Sequence, residues 1–288
     1  MDISKYKIDH NSDLKLSGIK TDQTGQFDSK EDAEKKLVEN VQRMTEIQSK
    51  LYAQDKYAVL IIFQAMDTAG KDGAIKHVMS GLNPQGTHVH SFKQPSVEEL
   101  DHDYLWRATK NLPERGLIGI FNRSYYEDVL VVRVHDLIKN QQIPDEFITE
   151  NIWKDRFRQI RDYERYLFEN GIVTIKFFLH ISKETQKERL LDRIDDKAKN
   201  WKFSAADLTE RQYWDDYQRY YQDTINETST KQAPWYVIPA DKKWFARLMI
   251  SEVIVKTMES LNLEYPTISK QQEEVLKTCK QKLLESKS

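Results

Sequence analysis

Cysteine is almost missing from this sequence: Cys279 stands alone, so no disulfide can form within the chain. That fits a reducing cytoplasm, which is the expected location. No stretch approaches the roughly 20 apolar residues that span a bilayer. The longest apolar run, residues 58–63, is strand-sized. The opening M-D-I-S-K-Y-K lacks the apolar core of a secretory signal. An excess of one charge is also missing. Against 44 Lys and Arg stand 46 Asp and Glu, a formal net charge of -2, which excludes a globally basic nucleic-acid binder. A polyanion would need a local basic groove. There is no internal repeat, no low-complexity tract and no linker.

What is present is a chain of 288 residues, 39% hydrophobic and 31% charged, enough to build a core and stay soluble. Residues 1–28 are polar and read as a loop-like extension over the surface. Ser29 offers a helix N-cap, with Asp32 three residues on. Ala33, Leu37, Val41, Met44, Ile47 and Leu51 then come at spacings of four and three, an amphipathic helix. Residues 57–64 (Y-A-V-L-I-I-F-Q), 117–121 (L-I-G-I-F) and 172–179 (I-V-T-I-K-F-F-L) are continuous apolar runs, the signature of strands covered on both faces. Residues 235–238 and 89–92 predict two shorter strands. Helices are expected over 145–170, closed by Gly171, and over 242–261. Strands alternating with helices predict an α/β fold: a parallel sheet with helices on both faces. The polar stretch 183–230 reads as a helical lid on a domain spanning 29–265, with 266–288 a helical tail.

The segment F-Q-A-M-D-T-A-G-K-D-G at 63–73 joins a buried strand to a helix. Its residues 65–71 approach the pattern G-x-x-x-x-G-K, with Ala65 in place of the first glycine. Gly70 can take a positive φ that turns backbone N–H groups onto an oxyanion. The next helix directs its positive end to the same place. Ala69, Gly70, Asp72, Gly73 and Lys76 are therefore candidate phosphate contacts, and Lys71 a candidate for neutralising charge during phosphoryl transfer. Asp67 beside phosphate calls for a divalent cation between the two. A tight turn with incidental charges would use the same residues.

At the end of 117–121, Arg123 is placed to meet a phosphate, and Glu127 and Asp128 to hold Mg2+ or orient an attacking group. Acids favoured by a helix start would also explain the last two. Arg133, within V-V-R-V, needs an anionic partner, which is either ligand phosphate or a structural carboxylate. Arg189 and Arg193 share a lid-helix face and are the candidates for closing onto phosphate. Lys76, His77, Lys93, Arg107, Lys110 and Arg115 are candidates for a second basic track. The aromatics Tyr213, Trp214, Tyr217, Tyr220 and Tyr221 read as core or subunit interface.

Taken together these segments resemble the polyphosphate kinase type 2 family, especially its third subclass. To the phosphate loop are added H-V-M-S-G-L-N-P-Q-G at 77–86, S-F-K-Q-P-S at 91–96 and E-E-L-D-H-D-Y-L-W-R at 98–107. G-I-F-N-R-S-Y-Y-E-D-V-L-V-V-R-V-H at 119–135, K-N-W-K-F-S at 199–204 and A-P-W-Y-V-I-P-A-D-K-K-W at 233–244 come after them in order. The resemblance implies a three-layer P-loop kinase fold similar to thymidylate kinase, with a helical lid. It implies polyphosphate as donor to AMP or ADP, with ATP as product and guanine nucleotides as further candidates. Mg2+ is the implied cofactor, Mn2+ its alternative, held by Asp67 and Asp128. Asp67, Lys71 and Arg123 take the catalytic positions, and Glu127 and Asp128 the acceptor side. A homo-dimer or homo-tetramer is implied, without nucleic acid or membrane as partner. Competing readings are an ATP-dependent nucleoside monophosphate kinase and a non-catalytic nucleotide sensor.

Overall fold

The computed structural model describes residues 2–10, 12–27 and 29–285. Met1, Asn11, Asp28 and the last three residues, which fall in the expected N-terminal extension and C-terminal tail, lie outside the described residues.

In chain order the strands are β1 (Lys7–Ile8), β2 (Ala58–Ala65), β3 (Thr87–Ser91), β4 (Ile118–Asn122), β5 (Ile172–His180) and β6 (Trp235–Pro239). The longer helices are α1 (Lys30–Gln54), α2 (Lys71–Val78), α6 (Ile152–Glu169), α7 (Lys183–Asp195), α8 (Ala205–Gln212), α9 (Trp214–Thr228), α10 (Lys243–Glu259) and α11 (Lys270–Glu285). Single turns α3 (Val97–Leu100), α4 (Trp106–Thr109) and α5 (Val131–Val134) lie between them.

Among the described residues one sheet forms, in the order β1-β6-β5-β2-β4-β3. All its pairings are parallel except β1 with β6. Every residue of β2 is buried, as expected for a central strand with helices on both sides. Alternate residues of β5 serve opposite layers. Phe178 packs on Tyr221 of α9, while Phe177 packs on Phe63 and Tyr236. Helix α10 is buried nearly all round and packs against α1, α2 and the sheet; α6 and α9 pack together on the other layer.

Ser29 caps α1 through the Asp32 amide, and Gly171 has φ +85 after α6. Three expectations need correction. The extension before residue 29 is not simply a loop, because β1 makes the sheet mixed. The helix expected from 145 begins at Ile152, since Asp145–Phe147 closes a separate 3-10 turn and Thr149 then caps the Asn151 amide. The stretch 183–230 is not all an excursion from the domain, because α9 sends Trp214, Tyr217, Tyr221 and Ile225 into the main core.

Candidate active site

The register of the sheet brings two strand ends level. Phe63 pairs with Asn122 across β2 and β4, and the Arg123 amide donates to the Phe63 carbonyl at 3.0 Å. The chain leaves β2 through Thr68 at φ +65 and Gly70 at φ +103, then enters α2 at Lys71. Only glycine takes the second of these without a steric cost. It leaves β4 through Arg123, also at φ +65, into the 3-10 turn Tyr125–Val129. The two loops are tied by side chains. Arg123 bonds Asp67 at 2.9 Å and Glu127 at 3.1 Å; Asn122 donates to Asp72 at 2.8 Å.

Between them lies a cavity of about 280 Å³ lined by Asp67 to Asp72, Lys93, Asn122, Arg123 and Arg193 among others. Its cations are Lys71, Lys93, Arg123 and Arg193, its carboxylates Asp67 and Asp72, and the N-terminus of α2 opens on it. An excess of positive charge with backbone N–H groups at a helix start suits a phosphate chain. Lys71 is largely buried and gives one bond, to the Ala65 carbonyl at 3.0 Å. Burial, then the nearby Arg123 charge, lowers its ammonium to about 8. Glu127 and then Asp67 hold the Arg123 guanidinium firmly protonated.

A second cavity of about 620 Å³ adjoins the first through Phe92, Lys93 and Arg123. Glu127 and Asp128 line it with the apolar Leu100, Val131, Val132 and Leu137. Glu127 also accepts from Gln64 at 2.9 Å. Asp128 accepts from Gln141 and lies 3.9 Å from Arg156. Burial raises its carboxyl to about 6, against the opposing Arg156 charge.

Several candidates do other work than expected. Arg189 is buried and donates to four backbone carbonyls, those of Thr68, Ala69, Ala240 and Asp241, at 2.7–3.0 Å. It clamps the phosphate loop instead of facing phosphate. Arg193, one turn later, does line the cavity, with a single 3.4 Å contact to Asp207. Arg133 pairs with Asp223 at 3.0 Å and stacks on Tyr220, so its partner is the structural carboxylate. Lys76 is exposed on α2 and Gly73 faces Arg247, both away from the cavity lining. Asp67 lines the smaller cavity and Asp128 the larger one beside it. Arg115 donates to the Asn170 carbonyl, where α6 ends, away from the phosphate loop. Arg107 bonds the Lys93 carbonyl and Lys110 lies over Trp106.

Glu164 and Lys176 were not singled out by the sequence reading, yet they form a fully buried ion pair at 2.6 Å beneath the turn after Arg123. The signal was a lysine in the middle of an otherwise apolar strand. Asn122 was passed over as well.

Mg2+ bound in a phosphotransferase keeps several waters and takes one or two carboxylates plus substrate phosphates. Asp67, at the cavity wall, fits that donor set; no group of three or more acids, His or Cys able to hold a metal occurs among the described residues. No helix among them is long and apolar enough to cross a membrane.

A sequence model of the family described as Polyphosphate kinase 2 matches residues 27–266. An ADP-polyphosphate phosphotransferase of Rhodopseudomonas palustris is 53% identical over 260 residues, 90% of this chain and 90% of that protein. An AMP/ADP-polyphosphate phosphotransferase of Meiothermus ruber is 43% identical over 265 residues, 92% of this chain and 96% of the relative. The crystal structure of Polyphosphate Kinase 2 from Arthrobacter aurescens TC1 superimposes with a TM-score of 0.86 at 38% identity, covering 95% of both chains.

Proposed function

The chain belongs to the polyphosphate kinase 2 family, and from that premise we propose that it transfers the terminal phosphoryl group of inorganic polyphosphate to ADP and AMP, reversibly. The observation that carries this reading is the convergence of Lys71, Lys93, Arg123 and Arg193 on one cavity at the ends of β2 and β4.

In this reading polyphosphate lies in the 280 Å³ cavity, its terminal phosphate over Gly70 and Lys71. The nucleotide enters the 620 Å³ cavity, with its reacting phosphate at Arg123, which borders both. Asp67 would hold Mg2+, or Mn2+ in its place, against the donor phosphates. Such an ion would neutralise charge on the phosphate chain. A terminal oxygen of the acceptor attacks in line. Arg123, fixed by Asp67 and Glu127, and Lys71 stabilise the charge that spreads over the equatorial oxygens. No covalent enzyme intermediate is needed. Glu127 borders the acceptor side and restrains Arg123 from there, while Asp128 walls the nucleoside end. The protein works as a homo-dimer or homo-tetramer in the cytoplasm, and guanine nucleotides are further acceptors.

The test is ATP formation by purified protein from polyphosphate and ADP, with no other source of ATP. Absence of ATP, with phosphate still moving from added ATP to AMP, would make it an ATP-dependent nucleotide kinase. No turnover with either donor would make it a nucleotide sensor.

A further inference from the structure

The buried pair Glu164–Lys176 lies outside both cavities, and nothing in the transfer described above uses it. Lys176 comes from β5 and Glu164 from α6, and neither exposes its side chain. Lys176 is fully committed. It donates to Glu164 Oε2 at 2.6 Å, to the Tyr126 hydroxyl at 2.9 Å and to the Thr228 carbonyl at 2.9 Å. The other oxygen of Glu164 accepts two hydroxyls, from Tyr125 at 2.8 Å and Tyr126 at 2.7 Å.

Taking two charges out of water is costly, and packed apolar side chains of the same volume often serve stability as well. The geometry offers another reason for the pair. Tyr125 and Tyr126 are consecutive residues of a 3-10 turn, whose successive side chains diverge by about 120°. Both can reach one oxygen atom in only one rotational setting of the turn. That turn starts two residues after Arg123, itself held in the left-handed region, and carries Glu127, the partner of Arg123.

We infer that Glu164 is a positioning residue for the transfer reaction: charge-balanced by Lys176, it fixes the Tyr125–Tyr126 turn and so aims Arg123 at the reacting phosphate. The inference rests on the reading above that Arg123 works on the transferred group.

The test uses the full chain with Tyr125 and Tyr126 both changed to Phe. This removes the two hydroxyls, keeps the rings, and leaves Glu164 paired with Lys176. Polyphosphate-dependent ATP formation is measured well below the melting temperature, in the native background and with Arg123→Lys. In the native background kcat is expected to fall about tenfold or more, the scale of a small misplacement of a catalytic group, with KM for polyphosphate nearly unchanged. In the Arg123→Lys background the same change is expected to cost nothing further, because the group it aims is already gone. A purely structural role would lower the melting temperature and leave kcat alone. An unchanged kcat, or an equal loss in both backgrounds, would overturn the positioning role while leaving Arg123 in the mechanism. Full activity of Arg123→Lys by itself would overturn the reading beneath it, and the inference with it.

Discussion

Arg189 and Arg193 occupy successive turns of α7 on one face, and they use the same functional group in opposite ways. Arg189 turns inward and spends its guanidinium on four carbonyl oxygens, two from the phosphate loop and two from the corner after β6. Arg193 keeps a quarter of its side chain exposed, reaches Asp207 at 3.4 Å, and looks into the cavity. A guanidinium with four of its five donors on backbone carbonyls builds a site. One that lines the cavity with a single long contact to a carboxylate can bind a ligand there. The difference also divides α7: its first two turns are fastened to the phosphate loop through Gln186 and Arg189, and the turn beyond them presents Arg193 to the cavity.

The sharpest way to break this contrast is Arg189→Ala. It strands four carbonyls and should cost at least about 3 kcal/mol of stability, the upper end of the scale for one buried hydrogen-bonding group left unsatisfied. Urea denaturation measures it, and kcat should fall as well because the loop loses its clamp. Lys71→Ala comes next. Lys71 gives the protein one hydrogen bond, so the melting temperature should change little while kcat falls by ~10²-fold or more, as when one electrostatic stabiliser is removed. Arg193→Ala should raise KM for polyphosphate by about tenfold, a factor equal to ~1.4 kcal/mol, with melting unmoved. If Arg193→Ala destabilises more than Arg189→Ala, the division of labour on α7 is reversed.

The mildest effect at neutral pH is a titration. The Lys71 ammonium, lowered from 10.5 to about 8, faces Arg123, Asp67, Glu127 and Asp72. It is protonated below pH 8 and lost as pH rises through that value. The kcat/KM for polyphosphate, which reports the free enzyme, should therefore fall above pH 8. Stability should move the other way. Between pH 8 and 10.5 the unfolded chain binds a proton at Lys71 that the native state has released, so the Lys71 contribution favours folding more as pH rises. Lys71→Met should abolish both trends.

Much of the frame was legible because its signals are local. The apolar runs at 57–64, 117–121 and 172–179 fall within one residue of β2, β4 and β5, since strands covered on both faces leave no polar alternation. Gly70 was readable as the left-handed residue because few other side chains suit that position. The start of α6 was misread for an instructive reason. Pro144, Asp145 and Glu146 look like a helix entry, but the chain spends them on a 3-10 turn. Strand β1 is two residues long and carries no period to detect. Arginine roles were the least legible part of the site. Spacing put Arg189 and Arg193 on one face, but it cannot say whether that face meets carbonyl oxygens or a phosphate. Lys176 left a trace, a charge inside an apolar run, whose partner Glu164 sits twelve residues earlier on another element.

The N-terminal strand has a consequence for how the molecule is made. Lys7 and Ile8 pair with Tyr236 and Trp235, and the Ile8 carbonyl accepts from Ser229, 221 residues away. Thr21 likewise bonds Asp241. The segment around β1 must thus wait to dock, because its partners at 229–241 emerge from the ribosome more than 200 residues after it. Until then the β6 side of the growing sheet has neither its strand nor its cover. Contacts of such long sequence separation form slowly, so an unpaired strand edge at this corner is the place where a nascent copy is most open to pairing with another chain.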